Sequence, residues 1–337
     1  MNVSRRQLII GIILTAVLGL AVFLGSGCQQ QKQAVPPEKI TIAYSTASNA
    51  MLMYIALAKG YFGDAGLEAI PQPHAFGKPA LQSVIEGKAD IATVGDTPLV
   101  FAVIGGKKIT TLAMIQTANK NEAIVARRDR GIVRPSDLQG KKIGLTVGTT
   151  GDFFADSFLL AHGIDRNHVQ IIDLKPDEMT DALSTGKVDA VSTWNPTLIQ
   201  LHKKLGSNGI MFFGESHYTE IFCVVALQEY VKTNPAAIKK VLRALLQAET
   251  FAQQHPEEAR RLVAEFIKTD KAVLDETWDI FTLRVTLDQA LLVDLEEQTR
   301  WAMKNRLTER RDMPNYLDFI YVDGLAAVKP EAVRIIR

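Results

Sequence analysis

The chain has 337 residues, of which 47% are hydrophobic, with 38 lysines and arginines against 37 acidic residues. This composition is sufficient for a hydrophobic core and excludes the disordered and collagen-like classes of protein. A formal net charge of +1 offers no basic surface for nucleic acid. The length predicts two domains or one large domain.

The chain begins with an apolar run. Residues 8–24 carry no charge and begin two residues after Arg6, which follows Arg5. A basic start, an apolar run and then small residues are typical of an export signal. A run of 17 apolar residues also reaches the lower limit for an uncleaved membrane anchor. We predict a cleaved signal peptide over residues 1–27.

The end of this signal resembles that of a bacterial lipoprotein. In Leu24-Gly25-Ser26-Gly27-Cys28 the leucine lies four residues before the cysteine, instead of the usual three. We predict lipidation of Cys28 and a flexible tether over residues 28–37, which are rich in glutamine and proline. The mature protein would then stand on the extracytoplasmic side of a membrane, in the periplasm of a two-membrane cell. Cys223 is the other cysteine, and its apolar surroundings predict a buried core residue.

Two similar segments lie 99 residues apart. Residues 81–96 contain Gly87-Lys88-Ala89-Asp90, and residues 180–195 contain Gly186-Lys187-Val188-Asp189. In each copy a helical pattern ends at the glycine, and a short apolar run typical of a buried parallel strand follows. The elements before these segments also match in order, as strand, loop, helix, strand and helix. We therefore predict two α/β lobes with parallel strands.

From residue 234 onward the chain is mostly helical. Helical patterns begin at Pro235 and Pro256 and continue through residues 275–283 and 290–305. No strand is expected in this part, which should pack on the first lobe and enlarge it.

The chain should cross between the lobes twice, near residues 118–127 and again near residues 220–225. These crossings predict lobe 1 from residues 38–120 plus 225–337, and lobe 2 from residues 121–224. Two crossing segments form a hinge, and a hinge between lobes creates a cleft.

The loops that follow the predicted strands carry the candidate binding residues. In open parallel sheets, ligands bind beyond the carboxyl ends of the strands. The loops there are rich in hydroxyl, amide and glycine groups and poor in positive charge. The candidate ligand-binding residues are Ser45, Thr46, Asn49, Gly77, Gly95, Asp96, Thr97, Gln116, Thr149, Thr150, Gly151, Asp152, Trp194 and Asn195.

The most informative loop is Gly148-Thr149-Thr150-Gly151-Asp152. Glycines and threonines between a strand and a helix present free backbone N–H groups at the positive end of the helix dipole, which holds an oxyanion without a cation. Alternatively, Thr150 or Asp152 only caps the helix. Asp152 would compete with an anion for the same N–H groups, or would receive an ammonium group of the ligand.

Other residues of these loops also have two interpretations. Asp96 is either a ligand acceptor or the residue that stabilises the following turn. Trp194 is either a wall of the pocket or a core residue, and Asn195 forms a turn before proline in either case. His74 and Lys78 are the basic side chains of the first-lobe loops, and we expect both to be solvated.

The sequence gives no sign of catalysis. Its six histidines have no metal-binding spacing, and no phosphate-binding or nucleophile motif occurs in the mature chain. We expect a binding protein that is not an enzyme and that holds no metal and no cofactor.

The body resembles the solute-binding proteins of ABC importers, in the branch for sulfonates, taurine and nitrate. The similarity covers roughly residues 38–330. The residues that carry it are Ala58-Lys59-Gly60-Tyr61-Phe62, Gly87 to Ile91, Gly95-Asp96-Thr97-Pro98, Pro135 to Ile143, Gly148-Thr149-Thr150, Asp189-Ala190-Val191, Trp194-Asn195-Pro196 and Asn315-Tyr316-Leu317-Asp318.

This resemblance implies a two-lobed periplasmic-binding-protein clamp of the type II kind, with a helical C-terminal extension. It implies that the clamp closes on a small solute such as an alkanesulfonate or taurine and delivers it to the transmembrane subunits of an ABC permease with their ATPase. The family binds sulfonate oxygens through N–H and hydroxyl groups of the loops that match residues 45–49, 95–97 and 149–151. We expect a monomer, held at the lipid bilayer through Cys28.

The resemblance leaves other ligands open. The family has an acidic residue after the tryptophan where this chain has Asn195, which puts the polar tail of the solute in doubt. Nitrate and bicarbonate binders usually have basic side chains in the cleft, which are few here. A neighbouring branch binds thiamine-precursor pyrimidines through acids and aromatics, for which Asp96, Asp152 and Trp194 qualify. The synthases related to that branch carry a cysteine cluster, which the mature body lacks. A ligand-sensing input domain would use the same clamp without a permease.

Overall fold

The computed structural model describes residues 37–214, 218–269 and 271–336. The predicted signal peptide, Cys28 and the tether up to residue 36 lie outside these residues. The strands are β1 (Glu38–Ser45), β2 (Leu67–His74), β3 (Ile91–Gly95), β4 (Ile109–Ala118), β5 (Glu122–Arg127), β6 (Lys142–Leu145), β7 (Gln170–Asp173), β8 (Ala190–Trp194), β9 (Gly209–Phe213), β10 (Glu220–Leu227) and β11 (Phe281–Thr286).

Helices connect these strands and cover the sheets. They are α1 (Met51–Ala58), α2 (Tyr61–Asp64), α3 (Gly77–Ile85), α4 (Asp96–Ile104), α5 (Thr150–Ala161), α6 (Pro176–Thr185), α7 (Thr197–Leu205), α8 (Gln228–Thr233), α9 (Pro235–Gln254), α10 (Pro256–Phe266), α11 (Lys271–Thr277), α12 (Gln289–Lys304) and α13 (Val322–Ala326). Within the described ranges, none of them has both the length and the apolar character that a membrane span requires.

Two sheets confirm the prediction of two α/β lobes. The first has six strands in the order β11-β4-β10-β3-β1-β2, and the second has five in the order β7-β6-β8-β5-β9. In the first sheet β1 pairs in parallel with β2 and β3, and in the second β6 pairs in parallel with β7 and β8. Each sheet continues into an antiparallel strand, β10 in the first and β5 in the second. The order β2-β1-β3-β10-β4 thus has the same arrangement as β7-β6-β8-β5-β9.

The repeated aspartate of the sequence has the same structural role in both sheets. Asp90 Oδ2 accepts the backbone N–H of Thr41 in β1 at 2.7 Å, and Asp189 Oδ2 accepts that of Lys142 in β6 at 2.9 Å. The glycines before them, Gly87 and Gly186, have φ angles of 70° and 78°. Glycine adopts this left-handed conformation without the cost that a side chain would add. The repeat therefore ends a helix and ties it to the first strand of its sheet.

The chain passes between the sheets at two places. It leaves the first sheet after Ala118 at the end of β4 and enters the second at Glu122 in β5. It returns at Glu220, the first residue of β10, which lies opposite Ala118 in the register of β4 and β10. The first crossing lies within the predicted region 118–127, and the second ends at Glu220, the first residue of the predicted region 220–225. The division of the chain into two lobes at residues 120 and 225 stays a prediction.

The helices predicted at Pro235 and Pro256 are α9 and α10, and that predicted over residues 290–305 is α12. The prediction for residues 275–283 was wrong in its second half. There the chain forms β11, which pairs antiparallel with β4. The residues of Phe281-Thr282-Leu283-Arg284-Val285-Thr286 are typical of a strand, being alternately apolar and polar with several β-branched side chains.

Candidate functional site

A small cavity lies between residues of the two sheets. Its volume is about 20 Å³, which is on the order of the space for one water molecule. The residues that line it lie at the ends of strands and the starts of helices in both halves of the chain. They are Asn49, Phe76, Gly77, Lys78, Gly95, Pro98, Thr149, Thr150, Trp194, Glu220 and Phe222.

The two halves of the chain touch each other around this cavity. Lys78 Nζ, at the start of α3, donates a hydrogen bond to the carbonyl oxygen of Val147 at 2.8 Å. A Cβ atom added at Gly95 would lie 2.9 Å from Thr150 Cγ2, so only glycine permits this approach. The Phe76 and Trp194 rings face each other with their centroids 6.2 Å apart. A solute larger than water therefore enters only if the two halves separate.

Six of the predicted binding residues line the cavity. Asn49 follows β1, Gly95 ends β3, and Gly77 lies at the start of α3. Thr149 and Thr150 form the start of α5, and Trp194 is the last residue of β8. The strand-end loops thus meet as the sequence predicted, and their role in binding stays a prediction.

Asp96 is positioned by hydrogen bonds within the fold. It is 0% exposed, and the Tyr218 hydroxyl donates to both of its carboxylate oxygens at 2.8 and 2.9 Å. The backbone N–H groups of Thr97 and Ile221 donate to it at 2.7 and 2.9 Å. Burial raises its pKa from the ordinary value. Of the two roles that the sequence left open for Asp96, the geometry supports the structural one.

Four other predicted residues of the first lobe hold loops together. Ser45 Oγ donates to Asn49 Oδ1 at 3.1 Å, and the exposed Thr46 hydroxyl donates to the His74 carbonyl oxygen at 3.1 Å. Thr97 donates to Gln298 in α12 at 2.6 Å. Gln116 accepts the N–H of the first residue of α1 at 3.2 Å. None of these four side chains lines the cavity described above.

Asp152 is also engaged inside the fold. It is 0% exposed, its Oδ2 accepts the N–H of Gly148 at 2.9 Å, and its Oδ1 accepts from Arg166 at 2.7 Å. Of the backbone N–H groups at the start of α5, Asp152 therefore accepts only that of Gly148. Because Arg166 occupies the other carboxylate oxygen, the geometry does not favour an ammonium group of the ligand there. Gly151 packs closely on the ring of Trp194 and on the Ser192 carbonyl oxygen, and Asn195 is 5% exposed behind the tryptophan.

The basic side chains of the first-lobe loops differ in their surroundings. His74 Nε2 lies 3.2 Å from the Ser83 hydroxyl, and burial lowers the pKa of the imidazole. His74 is thus partly buried in the fold, where the sequence predicted a solvated side chain. Lys78 is exposed, as predicted, but it also lines the cavity at the mouth.

Sequence reasoning missed two buried glutamates beside the cavity. Glu122 and Glu220, which begin β5 and β10, are 3% and 1% exposed, and Glu220 lines the cavity together with Phe222. Asn121 Nδ2 donates to Glu220 Oε2 at 2.9 Å. Both crossing strands begin with a glutamate before an apolar run, which was the signal available in the sequence.

Burial raises the pKa of both glutamates because water no longer solvates the charged form. The pKa of Glu220 rises from 4.5 to about 7, with Asp96 as the second cause. The pKa of Glu122 rises well above its ordinary value, since the group is buried and Glu220 and Asp96 lie nearby. Burial and the repulsion between neighbouring carboxylates therefore both favour the protonated form of these two groups.

The described residues contain no group of three or more histidine, cysteine or acidic side chains that could hold a metal ion. Cys223 lies buried in β10, and burial raises the pKa of its thiol well above the ordinary value. A thiol in this environment remains protonated and is a poor nucleophile. Cys223 is therefore a core residue, as predicted.

Comparisons with known proteins agree with this geometry. Residues 47–259 match the protein family described as NMT1/THI5 like. A protein of Brucella abortus named as a binding protein is 30% identical over 227 residues, which are 66% of this chain and 69% of that protein. A protein of Bacillus subtilis named as an aliphatic sulfonates-binding protein is 28% identical over 266 residues, or 77% of this chain and 80% of that protein.

A solved structure has the same fold. The alkanesulfonate-binding protein SsuA of Xanthomonas axonopodis, bound to MOPS, superposes with a TM-score of 0.74 at 18% identity over 86% of this chain and 99% of that one. This likeness confirms the predicted α/β clamp of the periplasmic-binding-protein kind. The family match spans more than half of the chain and includes every residue that lines the cavity, so the chain belongs to the NMT1/THI5-like family.

Proposed function

We propose that this protein is the extracytoplasmic solute-binding lipoprotein of an ABC import system. It binds a small organic anion, an alkanesulfonate or a taurine-like compound, in the cleft between its two lobes, and it passes the solute to a membrane permease. The observation that carries this proposal is the cavity at the start of α5, which residues of both sheets enclose. The names of the Bacillus and Xanthomonas relatives support the same class of ligand.

The start of α5 supports binding of the acid group. Thr149 and Thr150 begin this helix of 12 residues and line the cavity. The first turn of a helix has N–H groups without intrahelical partners, and its dipole favours a negative charge there. Lys78 adds one positive charge at the mouth of the cavity. A sulfonate or another oxyanion fits this end of the site.

Binding would follow a population shift between open and closed lobes. The cavity of about 20 Å³ belongs to a closed arrangement, with Lys78 bonded to Val147 across the cleft. A solute that contacts residues of both sheets would stabilise a closed form around itself. The names of the relatives as binding proteins favour this role over catalysis.

A second candidate ligand is an aminopyrimidine. The aromatic side chains of Phe76, Trp194 and Phe222 line the cavity together with the carboxyl group of Glu220. A flat ring with amino groups would stack on the aromatics and donate to the carboxyl group. Nitrate and bicarbonate fit less well, because Lys78 alone among the residues that line the cavity has a basic side chain. A sensor would have the same site without a permease.

The ligand class can be tested by a thermal-shift screen of the purified protein. The panel contains taurine, alkanesulfonates, aromatic sulfonates, nitrate, bicarbonate and an aminopyrimidine. A ligand at 100 times its Kd adds about 2.7 kcal/mol to the free energy of unfolding, which raises Tm by several degrees in a protein of this size. A shift with sulfonates and none with nitrate is expected. If only the aminopyrimidine raises Tm, the second candidate replaces the first.

Membrane attachment has its own test. We expect lipid on Cys28, and the Cys28→Ala variant should then appear in the soluble extracytoplasmic fraction. Cys223→Ala is the matched control, because this cysteine is buried in the fold, and it should stay with the membrane. Membrane association of both variants would instead make the apolar residues 8–24 an uncleaved anchor.

A further inference from the structure

The cavity has a group of buried oxygen atoms that lack hydrogen-bond donors. Among the described residues, Glu122 Oε1, Glu220 Oε1 and Asn121 Oδ1 have no hydrogen-bond partner although they are shielded from solvent. All three atoms are acceptors, and all belong to the segments where the chain crosses between the sheets. Buried polar atoms in folded proteins almost always have a partner. Three acceptors without donors in one place therefore indicate that a group with several N–H bonds binds there.

One of these acceptors belongs to a side chain that lines the ligand cavity. The Glu220 side chain lines it and is 1% exposed, and Glu122 lies beside Glu220 on the other crossing segment. Lys78 lines the same cavity but is exposed. The cavity is thus lined by an exposed cation, Lys78, and by the buried carboxyl group of Glu220. A molecule that bridges these two side chains has a negative group near Lys78 and an N–H-bearing positive group near Glu220.

The charges around Glu220 favour a cation. Burial and the nearby Asp96 raise the pKa of both glutamates, and the same two causes raise the pKa of Asp294, which is half-buried in α12. The Tyr218 hydroxyl, which also lies against Asp96, is neutral because burial raises its pKa. A positive group on the ligand would stabilise the charged form of these buried carboxyl groups, and it would supply the missing donors.

We infer that Glu220, supported by Glu122 and Asn121, is the specificity-determining residue for an amino group on the solute. The ligand class is then a compound that has both an acid group and a protonated amino group, such as an aminoalkanesulfonate, in preference to a simple alkanesulfonate. This inference rests on the proposed function and names the part of the solute that function left open. An amino-substituted heterocycle presents the same N–H chemistry and is distinguished from the aminosulfonate by the test.

The test compares taurine with isethionate, in which a hydroxyl group replaces the amino group, by isothermal titration. We expect the protein to bind taurine at least about tenfold more tightly, as charge-assisted hydrogen bonds are stronger than neutral ones. In Glu220→Gln this preference should fall below about threefold, because the amide has no charge. Glu249→Gln is the matched control: Glu249 is a buried carboxylate that pairs with Lys329 at 3.2 Å outside the cavity, and the preference should persist.

A second measurement uses the unaltered protein. Because a protonated amino group stabilises the charged form of Glu220, whose pKa burial raises to about 7, taurine binding near pH 7 should release protons, and isethionate binding should not. Titrations in two buffers with different heats of ionisation measure this release. Equal affinities for the two sulfonates without proton release would overturn the inference and leave the proposed function intact. Proton release with an aminopyrimidine alone would support the subsite but overturn the sulfonate as ligand. No binding of any of these solutes would overturn both.

Discussion

Replacing Glu220 by glutamine should make the stability of the protein less dependent on pH. Glutamine has nearly the same shape as a protonated glutamate and stays neutral at every pH. In the wild-type protein, burial raises the pKa of Glu220 from 4.5 to about 7. Between these values the folded protein binds more protons than the unfolded chain. The free energy of unfolding therefore falls as the pH rises through this window, and it is highest below pH 4.5.

The size of the effect follows from the pKa shift. One pKa unit corresponds to about 1.4 kcal/mol, so a shift from 4.5 to about 7 removes about 3 kcal/mol between the two limits. In a protein of this size 1 kcal/mol changes Tm by roughly 2 °C. The Tm of Glu220→Gln minus that of the wild type should therefore increase by roughly 6 °C from pH 4.5 to pH 8.

Calorimetry of both proteins over this pH range measures the difference. Glu309→Gln is the control for the chemical change itself, since this glutamate is exposed. A difference for Glu220→Gln that stays constant with pH would refute the reasoning, because the carboxyl group would then have the same pKa in the folded and unfolded chains.

Three further predictions concern contacts near the cavity and the repeat. Gly95→Ala should weaken solute binding about tenfold or more, because its Cβ would lie 2.9 Å from Thr150 Cγ2, and adding Thr150→Ser should restore the affinity measured by titration. Trp301→Phe should lower the free energy of unfolding in urea by about 1–3 kcal/mol, because buried Asp156 loses the indole donor at 2.5 Å. Asp90→Ala should lower it by about 1 kcal/mol, as the N–H group of β1 loses its acceptor. Unchanged affinity or unchanged urea midpoints would contradict these predictions.

The repeat in the sequence predicted the two sheets because it has a local physical cause. A glycine with positive φ ends a helix, and an aspartate three residues later accepts an N–H of the neighbouring strand, as Asp90 and Asp189 both do. Such contacts depend on short segments of the chain, so the residues that make them form a recognisable pattern in the sequence. The strand β11 was missed because its partner β4 lies far away in the chain. Only tertiary packing decides whether residues 281–286 form a strand or continue a helix.

The sequence predicted where in the fold the candidate site lies, at the ends of the strands. It predicted only some of the residues that line the cavity. The loops at the strand ends drew attention to polar side chains such as Asp96 and Asp152, and these proved to be fully hydrogen bonded inside the fold. A single sequence does not show whether a loop carboxylate faces a cleft or a backbone N–H group. Glu122 and Glu220 were missed for the opposite reason, because each lies at the start of an apolar strand where a buried carboxyl group is not expected.

The placement of these two glutamates connects ligand recognition with lobe closure. Both lie where the chain crosses between the sheets, so separation of the lobes would alter their contact with water. In the closed arrangement they are buried, and burial of charged carboxylates without a partner is unfavourable. Closure without a ligand therefore requires that they take up a proton, whereas an amino group on the solute offsets the same cost directly. If the proposed function is correct, the interaction between the glutamates and an amino group of the solute both selects the solute and stabilises the closed lobes.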